Sequence, residues 1–289
     1  MAGPARAYVR TRHKTTRALL LRPSHAVTLE AYVGDPPAGL ETADVLEAVA
    51  EAAAAWSRKE VECTSVSIDV VNVPAATAPV RHDGVNRLVF RRERWCLNGD
   101  EMSCYAPDAL AITSAWALPD GTLDDADIEV NAVGPQWGDR VRHPEVGEDV
   151  VDLQNTLTHE MGHFVGFAHS CVNDPVKDVG QDDAGNDVVP CAVAGPVARE
   201  STMFPTVAAH ELGLRTLSVD DIRGLCDVYP GGSSRSLSAA DPSAFTHPPS
   251  GGCTLVPVPR GGPATRPLLL VVLAALALRI RRRRARARD

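Results

Sequence analysis

The sequence predicts an α/β fold of the α+β kind, and three observations carry that prediction. Short β-branched runs separated by turn pairs occupy much of the first 130 residues. One alanine-rich helical stretch interrupts them early. A second helical stretch follows them and carries a cluster of histidines on an otherwise apolar segment.

The first strand is expected at 27–33, where hydrophobic and polar residues alternate in part. Residues 42–56 read as a helix, with Leu46, Val49 and Ala53 on one stripe. Strands follow at 66–73, at 85–90 behind the turn pair Asp83-Gly84, and at 109–116. A last strand is expected at 126–130, after the turn pair Asp120-Gly121. Val151, Leu153, Leu157, Met161, Phe164 and Val165 then give the next helix an apolar side, while Asn155 and Thr158 stay polar. A final helix starts at Ser218, a good N-cap, with Asp220 and Asp221 in its first turn, where the helix dipole favours acids. No internal repeat is present.

The chemistry concentrates in His159-Glu160-Met161-Gly162-His163-Phe164-Val165-Gly166-Phe167-Ala168-His169. Residues four apart on a helix share a face, so His159 and His163 present two imidazoles together. Gly166 lets the chain leave the helix in a conformation other residues adopt at a cost, and the turn brings His169 round as a third nitrogen ligand. Three protein ligands leave a fourth position for water, the arrangement of a catalytic zinc. Glu160 adjoins the first histidine and is placed to act as the base for that water.

Charge and cysteines bound the setting. The formal charge is −8, but eight arginines against Asp289 put +7 on 266–289, leaving −15 on the rest. An acidic body is unsuited to nucleic acid, whose phosphates call for Lys and Arg. The runs Asp124-Asp125-Ala126-Asp127 and Asp182-Asp183-Ala184-Gly185-Asn186-Asp187 are candidate calcium sites or solvated loop acids, and neither fits an EF-hand loop. Six of the seven cysteines lie in the folded body and none forms a C-x-x-C pair, which suits disulfides and an oxidising compartment. Cys96 with Cys104 and Cys171 with Cys191 are the favoured local bridges, leaving Cys63 for Cys226. Fifteen pairings are formally open, and buried free thiols are the alternative.

At the long histidine motif the chain resembles the metzincin metallopeptidases, whose signature is H-E-x-x-H-x-x-G-x-x-H followed by a Met-turn. Ser201-Thr202-Met203-Phe204-Pro205 supplies the later element, 34 residues after His169. Astacin-type members carry a tyrosine two residues after that methionine; Pro205 stands there, so the matrixin-like branch fits better. The resemblance covers roughly 27–230. It implies a zincin-type domain with a twisted mixed sheet, an active-site helix and a C-terminal helix. In such a fold 109–116 is the antiparallel edge strand along which a substrate peptide adds as a further strand. Met203 is implied as an apolar floor beneath the histidines. One zinc is expected, because His82 and His143 do not match the spacing of the family's second, structural site. The loop 206–217 is implied as the wall of the leaving-group pocket, with His210 in it.

The termini are expected to lie outside the catalytic domain, taken as 24–231. Residues 1–23 contain only 18–21 as an apolar run, too short for a secretory signal, so the true start is expected upstream. Residues 232–262 read as a flexible linker rich in Ser, Pro, Ala and Gly. Residues 263–289 hold an eleven-residue apolar run, 268–278, before the arginine cluster. With Cys253 ahead of it, this resembles myxobacterial sorting tails, Cys253 being the processing or lipid-attachment position. A short membrane anchor or a basic disordered end is the alternative. The expectation is therefore an exported, monomeric zinc endopeptidase of protein or peptide substrates, its tail engaging membrane or sorting machinery. A non-proteolytic zinc-binding adhesion module and a structural envelope protein are its rivals.

Overall fold

The structure is a computed structural model that describes residues 7–173, 180–182, 185–231, 250–251 and 254–256. Its strands, in chain order, are β1 (Val9–Arg10), β2 (Ala26–Tyr32), β3 (Ser67–Val73), β4 (Arg87–Arg91), β5 (Ala111–Ala117), β6 (Leu123–Asn131), β7 (Gln136–Gly138), β8 (Val150–Asp152), β9 (Phe167–Ala168), β10 (Thr206–Ala208), β11 (Ser250–Gly251) and β12 (Thr254–Val256). The α-helices are α1 (Thr42–Ala55), α2 (Leu153–Phe164), α3 (Pro196–Arg199) and α4 (Val219–Val228).

A six-stranded mixed sheet has the order β11-β5-β6-β4-β2-β3. Strands β3, β2, β4 and β6 run parallel, while β5 is antiparallel to β6. Every residue of β4 is buried, and all but one of β6, the charged Arg87, Arg91, Asp125, Asp127 and Glu129 included. The α+β class and the mixed sheet agree with the expectation, and each expected strand and helix is present with its ends moved by a few residues.

Helix α1 packs on β3 and α2, and α2 packs on β5 and β6. Ala48, Ala52 and Ala53 on α1 are buried, and small side chains let the two helices approach closely. At their contact Trp56, fully buried, donates its indole N–H to the Thr158 carbonyl at 2.7 Å. Leu153, Leu157, Met161 and Phe164 form the buried apolar face of α2. Its N-cap Asp152 accepts from the Asn155 N–H at 2.9 Å. The helix ends at Gly166, whose φ of 95° lies in the left-handed region.

Three expectations about the chain's layout are corrected. Residues 7–23 are not a separate segment. Strand β1 pairs antiparallel with β9 directly after α2, Ala7 N–H donates to Asp220 at 2.8 Å, and Leu20 is fully buried in the core. Nor is all of 232–262 linker, since Ser250–Gly251 and Thr254–Val256 are strands. Finally, β5 is not the outermost strand, because β11 pairs antiparallel along its outer side. Main-chain pairing explains the last two, as it needs little hydrophobicity and leaves little trace in composition; the first also rests on the burial of Tyr8, Leu20 and Leu21.

The three bridges are Cys63–Cys226, Cys96–Cys104 and Cys171–Cys191, the favoured set. The first closes 163 residues and ties the end of α4 to the loop before β3. No helix among the described residues is long and apolar enough to cross a membrane. The run 268–278, the arginine cluster and Cys253 lie outside the described residues.

Candidate metal centre

His159 and His163 project from α2, and His169 follows the β9 turn. Their ligand nitrogens all lie within 4.8 Å of one another, and among the described residues this trio is the group able to hold a metal ion. The Nε2 atoms of His163 and His169 are 3.1 Å apart, close to the separation of about 3.3 Å that two nitrogens take on a tetrahedral zinc with bonds of ~2.0–2.1 Å.

The other ring nitrogens orient the rings. Nδ1 of His159 lies 2.8 Å from the Thr202 carbonyl, and Nδ1 of His163 lies 2.8 Å from the Phe167 carbonyl. A carbonyl only accepts, so each Nδ1 carries the proton and each Nε2 keeps a lone pair. Burial lowers the pKa of His159 to about 3, helped by the neighbouring His163, and lowers that of His163 to about 4. Both imidazoles are therefore neutral at physiological pH, as metal ligation requires. Nε2 of His159 is buried and makes no hydrogen bond. Such an orphan costs about 1–3 kcal/mol, and a metal bond there removes the penalty. The donor set and its orphaned atom fit a zinc ion.

Glu160 is fully buried between α2 and β5. Its Oε2 accepts from the Thr113 hydroxyl at 2.6 Å. Sequence reasoning missed Thr113, which sits unmarked in an apolar strand; only the pairing of β5 beside α2 brings it 47 residues back to the carboxylate.

Met203 is fully buried against α2. A Cβ at Gly162 would overlap its sulfur, so the helix accommodates the methionine between the two histidines only because position 162 lacks a side chain. The preceding turn is held by Asp221, whose carboxylate accepts from Thr202 N–H at 2.7 Å, Ser201 hydroxyl at 2.8 Å and Ser218 hydroxyl at 2.6 Å. Asp221 thus does more than its place in the first turn of α4 implied: it fixes the carbonyl that orients His159. Farther along, Arg215 donates to Asp152 at 2.8 and 2.7 Å and to Asp139 at 2.6 Å. This pins the end of the 206–217 loop to the start of α2. His210 is exposed in that loop.

The acidic runs are used differently. Asp127 accepts from the main-chain N–H groups of Arg81 at 3.0 Å and Arg87 at 2.7 Å, and Asp125 accepts from those of Asp83 and Gly84, both at 2.8 Å. Asp124 pairs with His82 at 2.7 Å. Asp182 accepts from Asn186, while Asp183 and Ala184 lie outside the described residues. His143 lies beside Glu145 and is not part of the metal-capable trio. No family model matches the chain, and no curated protein matches it.

Proposed function

We propose that the chain is a zinc-dependent endopeptidase with a zincin-type fold of the matrixin-like metzincin branch. The observation that carries this is the convergence of three histidine nitrogens within 4.8 Å of one another beside a buried glutamate that is itself held by a hydroxyl. The long motif, the methionine packed at Gly162 and the α4 carboxylate behind the turn support the same assignment.

His159, His163 and His169 would hold the ion. Zinc so bound supplies a Lewis acid and lowers the pKa of a bound water towards about 7. The chain's own residues do the rest. Glu160 takes the proton from the attacking water and returns it to the leaving amine. Thr113 fixes the rotamer of Glu160, because its hydroxyl bonds one carboxylate oxygen. Thr202 and Phe167, through their carbonyls, hold two imidazoles in the tautomer that offers Nε2. Where Ser250–Gly251 does not cover it, the outer edge of β5 would offer main-chain groups to an extended peptide, and such binding depends little on substrate sequence.

The three disulfides support work outside the cytoplasm. In this proposal the tail beyond residue 262 serves anchoring or sorting. Glu160→Gln, compared with the parent in zinc-loaded form on casein or gelatin, tests the function. Loss of cleavage with zinc content unchanged is the expected result; equal activity refutes the role of Glu160. A zinc-loaded parent that cleaves nothing favours a binding module instead.

A further inference from the structure

Two short strands from beyond α4 pair with β5, which lies against α2, and with β10, which follows the methionine turn. Strand β11 is antiparallel to β5, with Ser250 opposite Ser114 and Gly251 opposite Thr113. Thr113 is the residue whose hydroxyl holds Glu160. Strand β12 is parallel to β10, with Thr254 opposite Thr206, Leu255 opposite Val207 and Val256 opposite Ala208. Strand β10 begins three residues after Met203, and the Thr202 carbonyl orients His159. Gly251 and Thr254 are three peptide steps apart, a reach of at most about 11 Å. One stretch of this chain therefore touches first the wall that positions Glu160 and then the wall that follows the methionine turn.

An open strand edge presents unpaired N–H and C=O groups and is a template for adding a strand. Here that template is filled by the chain itself. We propose that the outer edge of β5 together with β10 is a peptide-docking surface whose resident occupant is this chain's own Ser250–Gly251 and Thr254–Val256, and that these strands block the site to other peptides. The block, though not the docking, rests on the peptidase function proposed for the same site. An occupant tethered to the same chain acts at an effective concentration in the mM range, so an incoming peptide must outcompete it.

The test uses the full, zinc-loaded chain and a Gly251→Pro/Leu255→Pro double variant, since proline lacks the N–H a strand needs and disfavours pairing. Hydrogen exchange is followed at β5 and β10, with β6 and α2 as internal controls. The variant is expected to exchange about tenfold or more faster at β5 and β10, with the controls unchanged. It is also expected to cleave an internally quenched peptide about tenfold faster than the parent. Equal exchange in the two chains overturns the docking. Faster exchange with equal cleavage by two active chains overturns the block. A parent that mass spectrometry shows severing its own C-terminal segment during the assay overturns the block as well. Faster exchange with no cleavage by either chain upholds the docking and refutes the peptidase function.

Discussion

Two runs of metal-ligand-type side chains lie in this domain, of which, among the described residues, only the histidine trio brings its ligand atoms together, and they differ in what their atoms are already doing. At the histidine trio, the Nδ1 atoms of His159 and His163 meet main-chain carbonyls, the Nε2 atoms of His163 and His169 lie 3.1 Å apart, and the Nε2 of His159 has no hydrogen bond. At 124–127 the carboxylates are engaged by the chain: Asp127 by two main-chain N–H groups, Asp125 by two more on one oxygen, Asp124 by His82. The remaining oxygen of Asp125 is buried without a hydrogen bond, in the field of the buried Arg22. A run of ligand-type residues thus becomes a metal site only where the fold leaves several lone pairs convergent. Where it aims donors at them, the same residues organise a loop.

The sharpest way to break this comparison is to remove a ligand. His163→Ala should reduce bound zinc from one ion per chain to none by equilibrium dialysis and abolish cleavage, whereas Asp124→Ala should leave zinc content unchanged. Full zinc retention by the histidine variant would end the distinction.

Asp221→Ala comes next. Removing a fully buried carboxylate that accepts from Thr202, Ser201 and Ser218 strands three donors. A loss of about 3 kcal/mol in denaturant unfolding is expected, together with weaker zinc binding, because the turn orienting His159 loosens. An unchanged unfolding midpoint would show that the turn does not depend on this pin.

Thr113→Val should act more locally. It keeps the shape of β5 and removes the hydroxyl from Glu160, so kcat should fall about tenfold, equivalent to ~1.4 kcal/mol, with zinc content and KM near those of the parent. A rise in KM with kcat unchanged would argue that Thr113 serves substrate binding instead.

The smallest effect is expected at Asp127. Burial, reinforced by Asp125, raises its pKa to about 7. A carboxyl whose folded pKa exceeds its unfolded value near 4 binds a proton more tightly in the native state. Its contribution to stability is full below about 4 and is lost as pH rises towards 7. Asp127→Asn mimics the protonated form, so thermal melts should show a gain for the variant at pH 8 relative to pH 4. A constant difference between the chains across that range would refute the shift.

Much of the site was legible before any fold was known, because it is local. Helical spacing alone puts His159 and His163 on one face, and Gly166 alone permits the turn that returns His169. The same holds for the Ser218 cap, confirmed by its bond from Asp221 N–H, and for the two short disulfide loops, closed across 8 and 20 residues. The histidine spacing, the approximate strand and helix positions and the two short cysteine loops were thus properties of the chain read in order, while Cys63–Cys226, across 163 residues, followed only as the remaining pair.

What tertiary structure decided was every partnership formed across the sheet or between ends of the chain. Thr113 meets Glu160 only because β5 lies against α2. Asp221 meets the methionine turn only because α4 docks behind it. Residues 7–23 join the core through the pairing of β1 with β9 and the burial of Tyr8, Leu20 and Leu21, and 250–251 and 254–256 meet β5 and β10 through main-chain pairing. The physical reason is the same in each case. Periodicity, caps and turns are encoded by neighbours in sequence, whereas the partners of a distant hydrogen bond, whether backbone groups that every residue carries or single side chains such as Thr113 and Asp221, meet only through packing and cannot be matched by reading the chain in order.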